Sequence, residues 1–118
     1  MLPRTSRLHS PAEFKRTYGQ GVSVVGRHMV VYGLIEEGAK TRLGLSVSRK
    51  VGGAAVRNRI RRRLSGAFLS LAETLPEGAR TIIVARPRIT QVNYQNMEAE
   101  LNGLLNKLSV ALNQGGRR

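Results

Sequence analysis

Arg49, Lys50, Arg57, Arg59, Arg61, Arg62 and Arg63 fall within fifteen residues, and no acidic residue stands among them. A guanidinium presents a planar fork of N–H donors that matches the paired oxygens of a phosphate. These residues therefore suit the binding of a polyanion, not the making or breaking of a bond. On a helix at about 100° per residue with Val56 at zero, the apolar side chains centre near about 50°. Arg57 and Arg61 then lie on one flank, Asn58 and Arg62 on the back, and Arg59 and Arg63 on the other flank. The arginines cover nearly everything that a core does not. A solvated helix usually mixes signs and pairs Glu with Lys one turn apart, and this stretch has no such partner. Asn58 interrupts the cations with an amide suited to a phosphate, a 2′-hydroxyl or a base edge, although a tolerated surface residue reads the same way.

The rest of the composition points in the same direction. Twenty Lys and Arg stand against seven acidic residues, all Glu, for a net charge of +13. Sixteen of the twenty cations are Arg. Such a chain repels itself unless it meets a polyanion, which makes nucleic acid the first partner to consider and an anionic membrane the second. The absence of Cys excludes a disulfide frame, a zinc finger and a thiol nucleophile. Without Asp, no Ser/His/Asp set exists, and His9 and His28 stand isolated and read as surface residues. No self-sufficient catalytic site and no metal set is visible. Phe14, Tyr18 and Tyr32 are three of only five aromatics. Core packing is the plain reading for Phe14, whereas Tyr18 and Tyr32 suit a groove where unpaired bases lie. A basic membrane helix needs a free apolar face, and here that face carries the periodic residues of a small core. No run approaches the length of a membrane span, and Met1–Pro11 is too polar for a signal peptide. A soluble cytoplasmic protein that does not bind membranes is the expectation.

The elements that position these residues follow from spacing. Ser10-Pro11-Ala12-Glu13 combines a cap, a proline at the first helical position and a capping-box carboxylate. Phe14 and Tyr18 then share one face of a helix of about two turns, ended by Gly19 and Gly21. From Val22 to Ser48 two or three antiparallel strands are expected, with Glu36–Lys40 as a hairpin loop. Arg42 to Ser48 alternates, with Leu43, Leu45 and Val47 on one face and Arg42, Gly44, Ser46 and Ser48 on the other. Gly52-Gly53 opens a long helix whose apolar stripe is Val56, Ile60, Leu64, Ala67, Phe68 and Leu71. Thr81–Ala85 is a continuous apolar run, the mark of a strand buried on both faces. A last helix begins near Asn93, with Tyr94, Met97, Leu101, Leu104, Leu105, Leu108 and Leu112 facing the core, and a disordered tail is expected from about residue 113. The chain reads as one α+β domain over 1–118, a sheet with helices mostly on one face, in the order helix, strands, helix, strand, helix.

Gly44-Leu45-Ser46-Val47-Ser48-Arg49-Lys50-Val51-Gly52, followed by Val56-Arg57-Asn58-Arg59-Ile60-Arg61-Arg62, resembles the protein subunit of bacterial ribonuclease P. Arg57-Asn58-Arg59 is similar to that family's RNR motif. Arg7-Leu8, Phe14, Tyr18, Gly21, Arg27, Tyr32 and Ile82–Arg86 extend the likeness over roughly residues 4 to 112. The resemblance implies an α/β sandwich of a four-stranded sheet and three helices. It implies a subunit of an endonuclease that removes the 5′ leader of precursor tRNA, with catalysis carried by a large RNA holding Mg²⁺ and no metal held by the protein. It implies that Arg49, Lys50, Arg57, Asn58, Arg59, Arg61 and Arg62 bind the catalytic RNA, one protein per RNA. Phe14, Tyr18, Val24, Val31 and Tyr32 become candidate walls of a groove for the single-stranded leader. Ser65 departs from the pattern, since many members carry a basic residue there, and Arg63 stands where an apolar residue is common. A structural RNA-binding protein and a DNA-binding module are the other readings of the charge. The second lacks paired short helices before a recognition helix.

Overall fold

The first helix, α1 (Pro11–Gln20), begins as its sequence dictates. The Ser10 hydroxyl accepts the Glu13 N–H at 3.1 Å, and the Glu13 carboxylate accepts the Ser10 N–H at 3.3 Å. Gly19 does not stop the helix, which continues to Gln20 before Gly21 turns extended at φ −83°. The structure is a computed structural model that describes residues 7–8 and 10–114. His9 and residues 115–118 therefore lie outside the described part.

Four strands follow from the β-branched segments: β1 (Val22–Val25), β2 (Met29–Ile35), β3 (Arg42–Ser46) and β4 (Ala79–Ala85). Their order in the sheet is β1-β2-β4-β3. Strands β1 and β2 pair antiparallel, as do β2 and β4, while β3 runs parallel to β4. The hairpin expected at Glu36–Lys40 is thus corrected, because β4 separates β2 from β3. Its near-continuous apolar run has to be covered on both faces and flanked on both edges, and only a central position does that. Gly78, at φ 82°, makes the tight entry into β4 that a side chain would strain.

Helices α2 (Ala54–Leu71) and α3 (Tyr94–Gln114) cover one face of the sheet. Ile60, Leu64 and Phe68 of α2 meet Met97, Leu101, Leu105 and Leu108 of α3 over Met29, Val31, Leu43 and Ile83 of the sheet. The expected stripes of both helices lie in this core except Tyr94, which is 37% exposed. It is the first residue of α3, and its hydroxyl lies beside Gly66 of α2. Asn113 and Gln114 are helical and do not begin a disordered tail.

The alternation of the strands separates two faces. Val31 is wholly buried under the helices, and Val24, its register partner, packs on the same core. Both were expected as walls of a groove. They point to the opposite side of the sheet from Tyr32, because adjacent strand residues face opposite ways. Val24 and Val31 are core residues.

Candidate nucleic-acid interface

The other face of the sheet is covered only in part, by α1. Gly44 permits the approach, since a Cβ there would stand 2.7 Å from the Phe14 ring. Phe14 and Tyr18, one turn apart, place their ring centroids 6.4 Å from each other. Tyr18 meets Tyr32 edge-on at 4.8 Å and 87°. Tyr18 remains 38% exposed, so the pair offers ring surface to a ligand rather than closing into a core. Burial pushes the Tyr18 phenol above its ordinary value; a side-chain hydrogen bond with Ser46 opposes this and Tyr32 adds to it. By register, Val30, Val84 and Ser46 floor the same face beyond the tyrosines. Sequence reading missed these three as site residues. The signal was present in the Arg42/Gly44/Ser46 side of the β3 alternation, which could be assigned to a site only after β4 was placed beside β3.

A set of ion pairs anchors α1 on this face. Arg80 is 7% exposed and pairs with both Glu13 of α1 and Glu36 at the end of β2. Arg42 reaches Glu13 at 3.3 Å and Arg16 reaches Glu36 at 2.8 Å. Glu13 therefore caps α1 and ties it to two strands. Thr17, fully buried, returns its hydroxyl to the Glu13 carbonyl at 2.9 Å.

The arginine-rich segment divides as the helical wheel predicts. Ile60 is 1% exposed and faces the core. Asn58, Arg59 and Arg62 are exposed, and Arg57, Arg61 and Arg63 are half-buried along the flanks. Arg49 and Lys50 are exposed in the turn before the helix, where the Val51 N–H donates to the Ser48 carbonyl at 3.0 Å. Among the described residues, no carboxylate pairs with any of these seven cations, whereas Arg16, Arg42 and Arg80 each hold a Glu. The first turn of α2 holds no acidic residue and Gly53 supplies no side-chain cap. Its dipole therefore adds to the positive field of the arginines. Asn58 Oδ1 makes a long 3.5 Å contact with Arg61 Nη1 and is otherwise open. Ser65 is 5% exposed and shares a small cleft with Leu8, Phe14, Gly44 and Arg61. It faces inward, so the basic surface ends before it.

The structure thus brings Phe14, Tyr18 and Tyr32 together on one face and the seven cations together along α2 and the turn before it. His28, expected as a surface residue, is instead tied to α3: its Nδ1 lies 2.6 Å from Glu100 Oε1, and its N–H donates to Oε2 at 2.8 Å. Among the described residues, no group of three His, Cys, Asp or Glu is placed to hold a metal ion, and no helix is long and apolar enough to cross a membrane.

The Ribonuclease P family model matches residues 2–109. The chain belongs to the ribonuclease P protein family. It is 37% identical over 117 residues to the ribonuclease P protein component of Geobacillus kaustophilus, covering 98% of this chain and 96% of the relative. To that of Acidothermus cellulolyticus it is 35% identical, with 98% of each covered. Among solved structures, the Staphylococcus aureus RNase P protein superposes with a TM-score of 0.80 at 30% identity, over 88% of this chain and 97% of that one. The Thermotoga maritima RNase P protein gives 0.77 at 25% identity, over 86% and 96%. The sheet and three helices are those of the ribonuclease P protein, and the chain is a protein component of this endoribonuclease of tRNA 5′ processing.

Proposed function

We propose that this ribonuclease P protein binds the catalytic RNA through Arg49, Lys50, Arg57, Asn58, Arg59, Arg61 and Arg62, and holds the 5′ leader of precursor tRNA against Phe14, Tyr18 and Tyr32. One protein serves one RNA, in the cytoplasm. The observation that carries the reading is the separation of two surfaces. The uncompensated cations lie along α2, and the Tyr18–Tyr32 pair stands on the sheet face that α2 and α3 leave open.

The division of labour follows from chemistry. Ordered phosphates take fixed guanidinium forks, and a flexible single strand takes aromatic faces on which bases stack. On this reading Mg²⁺ held by the RNA subunit would supply the chemistry of phosphodiester hydrolysis, and the residues of this chain bind and position the two RNAs. The arginines lower the repulsion between two polyanions and so hold substrate and catalytic RNA together. The tyrosines orient the leader without touching the bond that is cut.

Reconstitution with a ribonuclease P RNA tests this. The logarithm of assembly affinity should fall with that of salt at a slope of roughly −4 to −6, if about six cations each displace a counterion. Tyr32→Ala should weaken binding of long-leader precursor tRNA by about 1 kcal/mol or more and leave mature tRNA unchanged. Arg59→Ala should instead impair assembly, by about 1–3 kcal/mol, with little dependence on leader length. Equal losses from Tyr32→Ala on long-leader and leaderless RNA would remove the groove from the proposal.

A further inference from the structure

At the end of the sheet where β4 stops, an open cleft of about 900 Å³ is lined by Arg27, His28, Arg86, Pro87, Arg88 and Gln91. We infer that this cleft is a second RNA phosphodiester site, separate from the arginines of α2. The inference rests on the chain's binding RNA as proposed above.

Three features support it. The first is uncompensated charge. Among the described residues, none of Arg27, Arg86 and Arg88 pairs with a carboxylate, although Arg16, Arg42 and Arg80 all do. Glu100 is the acidic residue at this corner, and its two oxygens are engaged by the ring and N–H of His28. Three guanidinium-bearing residues lining one cleft repel each other unless an anion joins them.

The second is a fixed scaffold. The Gly26 N–H donates to the Met29 carbonyl at 2.8 Å and closes the β1–β2 turn. The Arg86 N–H donates to the His28 carbonyl at 2.9 Å and joins that turn to the end of β4. Pro87–Gln91 forms a 3-10 turn pinned by Ile89, which is 1% exposed. The arginines thus extend from a corner held by backbone bonds, so little backbone order is lost when an anion binds.

The third is position and lining. Tyr32 pairs with Ile82 and Val30 with Val84, and the His28–Arg86 bond is the next rung along. Four residues of strand, about 13 Å, separate the tyrosine rung from the cleft. On the opposite flank of the same sheet end, β3 runs on toward Arg49 and Lys50. A strand crossing the tyrosine face therefore meets cations on either side as it leaves. Apart from the His28 ring, which Glu100 engages, the lining holds no aromatic side chain, so the cleft suits backbone phosphates.

The same phosphodiester chemistry is offered by the leader and by the catalytic RNA, and the test separates them. The triple variant Arg27→Gln/Arg86→Gln/Arg88→Gln and the single variant Arg88→Gln, at an exposed position, are compared with the unaltered protein across a salt series. One arm measures assembly with ribonuclease P RNA, and the other measures binding of precursor tRNAs of increasing leader length to the assembled enzyme. The triple variant should lose about tenfold in affinity and flatten the salt slope by about 2 in one arm. Flattening in assembly assigns the catalytic RNA, and flattening that grows with leader length assigns the leader. Unchanged slopes in both arms, with normal assembly, overturn the cleft and leave the proposed function standing. Failure of the unaltered protein to assemble overturns the proposed function instead. The cleft is then decided on the free protein, by whether a short single-stranded oligoribonucleotide shifts the side-chain N–H resonances of Arg27, Arg86 and Arg88. No shift refutes it.

Discussion

Arg80→Met removes the guanidinium that joins α1 to the sheet and keeps much of its apolar stem. The Arg80 side chain is 9% exposed, and its partners Glu13 and Glu36 are 16% and 32% exposed. Removing one member of a buried ion pair costs about 3–5 kcal/mol, because the other charge stays behind in a poor solvent. Two features of this network favour the low end. Glu13 keeps Arg42 at 3.3 Å, and Glu36 keeps Arg16 at 2.8 Å and is a third exposed. A loss of about 3 kcal/mol is expected. At roughly 3–5 °C per kcal/mol for a chain of this length, the Tm should fall by about 10–15 °C. Circular dichroism melts measure this directly. Hydrogen exchange should show α1 losing protection before β2 and β4, since Arg80 is the most buried of the cations that tie it to the strands. In the assembled enzyme, long-leader substrate should bind more weakly while assembly is kept, because Tyr18 rides on α1. Changing Glu13 and Glu36 to Gln as well removes the buried orphaned carboxylates and leaves Arg16 and Arg42, both partly exposed, to be solvated by water, while Gln still completes the capping box. The triple variant should therefore recover most of the loss. An Arg80→Met protein that melts within about 2 °C of the unaltered one would refute the reasoning and reduce the network to a solvated cluster.

Ile60→Ala, at a site 1% exposed, should cost about 2–5 kcal/mol in denaturant titrations without changing the salt slope of RNA binding. The neighbouring Arg59→Ala should do the reverse. The Tyr18 phenol, raised above its ordinary value by burial, should stay protonated to a higher pH than a free tyrosine, which a phenolate absorbance titration of Tyr18→Phe against the parent resolves. Its stabilising share is intact below the unfolded-state value and is lost as pH rises through the folded-state value, so stability should decline on the alkaline side only. Thr81 is fully buried, and its hydroxyl has no hydrogen-bond partner among the described residues. Thr81→Val should therefore raise stability by up to about 1 kcal/mol in thermal melts, and a loss of that size would show that the hydroxyl is satisfied.

Local rules reached most of the elements. The Ser10–Glu13 capping box, the α2 and α3 stripes and the β4 run each report interactions within a few residues, which sequence spacing encodes directly. The arginine segment was legible for the same reason. One helix carries it, and the wheel alone says which side chains a core must take and which it must leave out. The family likeness was legible in the Gly44–Arg62 stretch, and the family match over residues 2–109 agrees with it.

What local spacing does not encode is which strand lies beside which, and which face of each is open. The passage of β4 between β2 and β3 is decided by the burial of a whole segment, so the loop at Glu36–Lys40 looked like a hairpin although it joins strands that never pair. Val24 and Val31 have the residue type of groove walls, and only the register places them beneath the helices while Tyr32, one residue on, faces α1. The grip of Arg80 on Glu13 and Glu36, and of His28 on Glu100, joins residues far apart in the chain. In the sequence they were single charges with no partner in view. The cleft of Arg27, Arg86 and Arg88 is likewise a product of topology. It exists because the antiparallel register of β2 and β4 brings a turn and a strand end to one corner, with the local carboxylate already engaged. Charge and periodicity are properties of the chain, but the pairing and compensation of charge depend on distances that only the folded sheet creates.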